Sequence, residues 1–342
     1  MQRVLAHGKF ILGPEVAELE SELGRYVGAR HALAVKSGTL ALELALRTLR
    51  IGAGDEVITT SFSWISAAEA IALVGAVPIF VDIDPVTFLL DPAAVERAVS
   101  ARTKAIIPVS LFGQMPDLER LGELAAHHGL AVIEDGAQSF GASRNGRRSG
   151  GATTLAVTSF FPTKPLGCYG DGGALFTNDE SLAQRARMLR DHGAERRGEH
   201  TLIGVNGRLD TLQAAIVLAK LPHLAADLAE RRRLAARYTA ELPSTLLAPV
   251  TAGGNVHVYA QYTLRAQARE HIARSLAERG IETAIYYRRA LHQQPVFQRT
   301  HAARPLPIAE QAAKEVLSLP LYPGLTDAQQ TRVIEVLHDT AS

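Results

Sequence analysis

Two rhythms of apolar residues alternate through the first half of the chain. After Gly13-Pro14, the stretch EVAELESELGRYVG puts Val16, Leu19, Leu23 and Val27 on one helical face, with proline in the first turn, acids early and Gly28 as the stop. His31 to Val35 is a short apolar run that reads as a strand, and Ser37-Gly38-Thr39 opens an alanine- and leucine-rich helix over residues 40–50. The pattern then repeats. Strands are predicted at Glu56–Thr60, Val77–Asp82, Lys104–Val109 and Leu130–Glu134, with helices near 64–74, 92–100 and 116–128 between them. Strands alternating with crossover helices predict a mostly parallel sheet covered on both faces.

Beyond Asp135 the alternation loosens. Residues 136–152 read as a polar, glycine-rich loop, followed by strands near 155–160 and 173–177 and a helix at 179–190. A long helical pattern from Leu209 to Leu242 is interrupted at Pro222, where a break is expected, and its charged middle, Glu230 to Arg233, reads as a solvated face. A strand at 256–264, a helix at 269–280, a short strand before Tyr286-Tyr287 and a last helix at 326–339 predict a smaller α+β unit. The expected division is a large α/β domain over 1–225 and a small C-terminal domain over 226–342.

At 342 residues the chain exceeds what one core usually supports, in agreement with two units. A formal net charge of +1 argues against general nucleic-acid binding, which needs a basic surplus. Cys168 is the only cysteine, so no intrachain disulfide can form and a cytoplasmic setting is expected. No secretory signal or membrane-spanning run is read from the sequence.

Candidate chemistry gathers at strand ends. Lys164 lies between the apolar residues Leu155, Val157, Phe160 and Phe161 and a loop holding Gly167, Gly170, Gly172 and Gly173. A lysine so placed is poorly solvated and can become a nucleophile, though a surface lysine is the plainer reading. Ser37-Gly38-Thr39 joins a strand to a helix N-terminus and suits a phosphate, but is equally an ordinary capped turn. Glu134-Asp135 ends an apolar strand with two acids, one of which must face the sheet's end and can pair with a cationic ring nitrogen. Gln138 follows within reach of a ring hydroxyl. Metal binding is the competitor, and no histidine or acid stands at ligand spacing. Trp64 offers a flat face or a core aromatic, and Ser159 a further hydroxyl. Together these residues meet the demands of pyridoxal 5'-phosphate (PLP): an amine, a phosphate cradle, an acid and a stacking face.

SGTLAL, FVDID, EDGAQSFGA, SFFPTKPLGCYGDGGA and NGRLDTLQAA, in this order, resemble the DegT/DnrJ/EryC1/StrS sugar aminotransferases, and most of all the branch acting on UDP-linked 2-acetamido sugars, including 3-keto uronic acids. The resemblance implies PLP fold type I (aspartate-aminotransferase-like), with a mostly parallel large domain and a smaller α+β domain. It implies Lys164 as the Schiff-base lysine and proton carrier, Asp135 as partner of the ring nitrogen, and Gln138 at the ring hydroxyl. Trp64 would stack on the ring, and Gly38, Thr39 and Ser159 would hold the phosphate. Asn206 would reach that phosphate from a neighbouring subunit, making a homodimer the working unit. Arg208 would bind anionic groups across the same interface, and His292 would lie near substrate, a surface histidine being the alternative. L-glutamate is the implied donor and a nucleotide-linked keto sugar the acceptor. A cyclitol aminotransferase, an aminohydroxybenzoate synthase and a PLP-binding regulatory protein without turnover share these residues. Ser110 and Arg288-Arg289 depart from the common pattern, which has histidine at the first position and a proline-containing stretch at the second.

Overall fold

A computed structural model describes residues 1–298 and 304–341. Seven strands form the central sheet: β1 (His31–Val35), β2 (Glu56–Thr60), β3 (Val77–Val81), β4 (Thr103–Ile107), β5 (Ala131–Asp135), β6 (Leu155–Ser159) and β7 (Gly173–Thr177). Their order is β1-β7-β6-β5-β4-β2-β3. The pairs from β6 through β3 are parallel, whereas β7 runs antiparallel to both β6 and β1. The predicted mostly parallel α/β sheet is therefore present, and β7 is its one reversed strand.

Alternation along each strand sorts the core into two layers. Leu33, Val35, Val57, Ile107, Ile133, Leu155, Val157 and Leu175 join the layer of α3 (Gly38–Thr48), α4 (Ser66–Leu73) and α7 (Glu180–Arg190). Ala34, Ile58, Ile106, Val132, Ala156 and Phe176 join that of α2 (Pro14–Val27), α5 (Pro92–Ala98), α6 (Leu118–His128) and α8 (Thr211–Lys220). Successive side chains in a strand point to opposite faces, so a run buried throughout requires helices on both sides. A helix Gln2–His7, α1, precedes them. Gly28 closes α2 in the left-handed conformation at φ 79, which glycine adopts without strain.

The predicted break at Pro222 is a 3₁₀ turn, Leu221–His223, between α8 and α9 (Leu224–Glu241). A third buried cluster, made of residues from Leu234 to Leu337, packs α9, α10 (Arg269–Glu278) and α12 (Asp327–Ala341) on a two-stranded antiparallel sheet, β8 (Tyr262–Arg265) with β9 (Val316–Leu319). The expected strand 256–264 is split. Asn255–Val256 pairs with Ser143–Arg144, while Tyr259 takes a positive φ of 47 that breaks the extended run before β8. The strand expected before Tyr286 is reduced to one bridge, Ala284 with Ser318. Helix α11 (Pro307–Glu315) and β9 went unread because that stretch follows no long period. Asp82, from FVDID, accepts from the Ile308 and Ala309 N–H groups at 3.0 and 2.8 Å and so caps α11 from the end of β3.

The charged run on α9 is not uniformly solvated. Arg231 is buried and donates to the Tyr259 and Leu321 carbonyls at 3.2 and 3.1 Å, tying α9 to two loops. Arg190 is likewise buried, donating to the Ala34 carbonyl at 3.0 Å and pairing with Glu20. Neither is a free surface cation.

Candidate active site

Period-two alternation decides which of the two acids reaches the site. On β5, Val132 and Glu134 share one face, and Ile133 and Asp135 the face of α3 and α4. Glu134 is fully buried and accepts from Ser110 Oγ at 2.8 Å, Ser149 Oγ at 2.6 Å and the Gly150 N–H at 2.9 Å. It clamps the 136–152 loop, and Ser110 is its partner rather than a substrate group. Burial still holds its carboxyl above the usual range.

Asp135 is buried at the carboxyl end of the sheet, and burial raises its pKa against the opposing pull of the Ala137 N–H, at 3.1 Å, and of the Lys164 charge. Lys164 follows β6 in a turn closed by its own N–H on the Phe161 carbonyl at 2.8 Å. Burial pushes its ammonium pKa down, and Asp135 pushes it back up. The two groups are within electrostatic reach of each other, and each is displaced toward its neutral form. A lysine that gives up its proton readily is the nucleophile that the sequence suggested.

Beside this pair lies the first turn of α3. Ser37 Oγ accepts from the Leu40 N–H at 3.1 Å, while the Gly38 and Thr39 N–H groups stand in the turn that a helix cannot pair for itself. Thr39 Oγ1 meets Ser66 Oγ at 2.7 Å, which joins the starts of α3 and α4. A Cβ on Gly38 would stand 2.8 Å from the Ser159 Cβ, so only glycine allows this approach. Ser159 pairs with Gly173 across β6 and β7, and Gly173 with Val35 across β7 and β1. Trp64, between β2 and α4, is 61% exposed, an unusual state for the sole tryptophan, and leaves an indole face for a flat ligand.

Gln138 is buried. Its Oε1 accepts from the Phe112 N–H at 2.8 Å and its Nε2 donates to Tyr287 Oη at 3.1 Å. Tyr287 packs against Phe62 and Trp64, with centroids 6.0 and 6.3 Å away. Sequence reasoning missed Phe112 and Tyr287; the aromatic pair Tyr286-Tyr287 ahead of ALHQQP could have pointed to the second, and no local signal marks the first, which acts through its backbone N–H.

Asn206, Arg208 and His292 have other surroundings. Arg208 bridges Val35 on the outer side of β1 and binds Asp191 at 2.6 Å; Asn206, two residues earlier, is exposed. Both therefore lie beyond the sheet's edge. His292 is not a surface histidine. It is buried, its Nε2 is 3.1 Å from Glu310 Oε1, and its Nδ1 has no partner among the described residues.

The residues around Lys164 fit PLP: a buried carboxylate in need of a cation, unpaired first-turn N–H groups held close to β6 by a glycine, and an amine with a lowered pKa. The comparisons agree. The sequence model of the DegT/DnrJ/EryC1/StrS aminotransferase family matches residues 1–338. The chain is 49% identical over 329 residues to a UDP-2-acetamido-2-deoxy-3-oxo-D-glucuronate aminotransferase of Pseudomonas aeruginosa, covering 96% of this chain and 91% of that one. It superposes on Streptomyces venezuelae DesV, solved with a ketimine intermediate, with TM-score 0.97 and 42% identity over 100% of this chain and 93% of that one. NtdA of Bacillus subtilis, solved with the cofactor PMP, gives TM-score 0.94 and 33% identity over 99% and 80%. The chain belongs to the DegT/DnrJ/EryC1/StrS aminotransferase family and is a PLP-dependent transaminase.

Proposed function

We propose that this enzyme moves an amino group from L-glutamate to a nucleotide-linked keto sugar, of the UDP-2-acetamido-3-keto uronic acid kind, as a cytoplasmic homodimer with its active sites at the subunit interface. The observation that carries the reading is the pair of a half-buried Lys164 and a buried Asp135 at the sheet's carboxyl end beside the first turn of α3. The substrate class rests on the similarity to the Pseudomonas aeruginosa enzyme.

When bound, PLP supplies an aldehyde that captures amines and a ring that accepts electrons from the neighbouring carbon. With the cofactor bound, Lys164 Nζ would be the amine that meets its aldehyde and would carry a proton to and from the substrate carbon, tasks that its lowered pKa suits. Asp135 would keep the ring nitrogen protonated, Gln138 would bind the ring hydroxyl, Trp64 would cover one ring face, and Gly38, Thr39 and Ser159 would hold the phosphate.

Asn206 and Arg208 lie at the outer edge beyond β1, exposed or half-exposed, which supports their serving the site of a second subunit. In that role the Arg208 guanidinium would trade Asp191 for a substrate carboxylate or phosphate. His292 would lie near the substrate, its buried Nδ1 having no partner among the described residues. The test is a coupled glutamate-to-2-oxoglutarate assay over UDP- and dTDP-linked 3-keto and 4-keto sugars. Turnover with a UDP-linked 3-keto sugar is expected. A cofactor-loaded protein whose visible absorbance glutamate leaves unchanged would overturn the reading.

A further inference from the structure

The amide of Gln138 has only one chemically sensible orientation. The Phe112 N–H is a donor and nothing else, and it lies 2.8 Å from one end of the amide; that end must be the oxygen, since a donor there would face a donor. The nitrogen then points to Tyr287 Oη, at 3.1 Å. One Nε2 proton is used on Tyr287, and the second is left for the site.

Both supports are built rigidly. Phe112 has φ 56 and ψ 0 inside the turn Leu111–Gly113, a left-handed conformation that a phenylalanine adopts only when its surroundings enforce it. The enforcement is visible. The Val258 N–H donates to the Gly113 carbonyl at 2.9 Å, and a Cβ on Gly113 would stand 2.8 Å from the Tyr259 and Ala260 nitrogens. Tyr287 is wedged edge-on against Phe62 at an interplanar angle of 74°, and burial together with the Asp135 charge keeps its hydroxyl protonated. A phenol that stays neutral can serve as an acceptor for Nε2 throughout the working pH range.

We propose that Tyr287 is a positioning residue: with the Phe112 N–H, it locks the Gln138 amide so that an N–H, and not the carbonyl, is presented to the ring oxygen of PLP. This rests on the proposed contact between Gln138 and that oxygen. The consequence is a specific electronic one. In the loaded enzyme the ring oxygen would share the proton of the nitrogen contributed by Lys164, and a donor from Gln138 would compete for the oxygen's charge. That nitrogen would therefore hold its proton less tightly, and its loss of that proton is seen as a pH-dependent change in the visible absorbance of the bound cofactor.

The experiment is a pH titration of that absorbance in the holoenzyme for wild type, Gln138→Leu, Tyr287→Phe and the double variant, with borohydride trapping at Lys164 to confirm loading. Gln138→Leu is expected to raise the midpoint by about one pH unit, the scale of one hydrogen bond to a charged acceptor. Tyr287→Phe keeps the ring and its packing, and is expected to raise the midpoint by a smaller amount. In the Gln138→Leu background, Tyr287→Phe should add nothing, because its effect passes through the amide. An equal shift in both backgrounds, or none in wild type while Gln138→Leu does shift, overturns the role of Tyr287 and leaves the Gln138 contact standing. No shift with Gln138→Leu overturns the contact itself, and the inference with it.

Discussion

Gly173→Ala probes the proposed phosphate cradle from behind, leaving unchanged every residue that would bind the ligand. A methyl group built on Gly173 would lie 2.7 Å from the Gly38 nitrogen, 2.7 Å from the Ser37 carbonyl carbon and 2.8 Å from the Thr158 oxygen, all of them backbone atoms. Ordinary non-bonded contacts need roughly 3.5 Å or more, so the start of α3 must retreat by about 0.7–1 Å. Overpacking of this kind costs about 1–3 kcal/mol, offset by up to about 1 kcal/mol because alanine is better than glycine in a strand. The apoprotein should lose about 1–2 kcal/mol by urea denaturation. The larger effect falls on PLP, since the displaced atoms include the first-turn N–H groups; weakening one hydrogen bond to a charged oxygen should lower affinity about tenfold or more in an absorbance titration. Gly122→Ala, on α6 with open space around the new Cβ, is the control. It should gain up to about 1 kcal/mol in stability and bind PLP as wild type does. If Gly173→Ala loses stability but keeps wild-type PLP affinity, the Ser37-Gly38 backbone is not the cradle.

Glu134→Ala should destabilise the protein by about 3 kcal/mol or more, because the Ser110 hydroxyl and the Gly150 N–H would be left unpaired in the core and Ser149 would keep only Ser139; a change under about 1 kcal/mol in urea denaturation would refute the clamp. Asp82→Ala removes the cap on α11 and should cost about 1–2 kcal/mol in the same measurement, with Asp82→Asn recovering part of it. Burial pushes the pKa of His257 down to about 3 from an ordinary 6.5. The unfolded chain therefore binds the extra proton first, so this stability is complete above pH 6.5 and is lost as pH falls toward 3, by about 1.4 kcal/mol per unit. His257→Gln should flatten the stability curve between those limits, and an unchanged slope would show that the imidazole is not buried neutral.

Much of the sheet was readable because its strands are buried on both faces and its helices carry clear stops, as at Gly28. Where the chain is shaped by distant partners, local pattern failed. Residues 257–261 look extended, but Tyr259 turns left-handed to let Val258 bond Gly113. Arg231 looks solvated among charged neighbours, yet two carbonyls from separate loops draw it inward. In the candidate site, Asp135 could be read because it ends β5, where alternation decides its face, whereas Lys164 and Gly38 stand in the segments that follow β6 and β1 and were picked out by the glycine-rich loop and the capped turn beside them. Tyr287 was not, because it is 149 residues from the Gln138 it supports and no local rhythm connects them.

Lys164 and Asp135 also show why the site favours one kind of ligand. Burial draws each toward its neutral form, and each partly restores the other's charge. For Asp135, whose folded pKa is raised, the folded state binds the proton more tightly, and stability falls as pH rises from the ordinary 3.8 through the folded value. For Lys164, whose folded pKa is lowered, the unfolded state binds more protons between the folded value and 10.5, so stability is depressed below that window and recovers through it. Near neutral pH the empty site thus bears a cost from both groups. A ligand that bonds to the amine and brings its own buried cation to the carboxylate relieves both at once, whereas a simple anion could pair only with the ammonium and would leave the carboxylate worse off. The same burial that lowers the Lys164 pKa therefore favours an aldehyde attached to a basic ring, and a phosphate held at α3, as proposed, would fix which way round that ring lies.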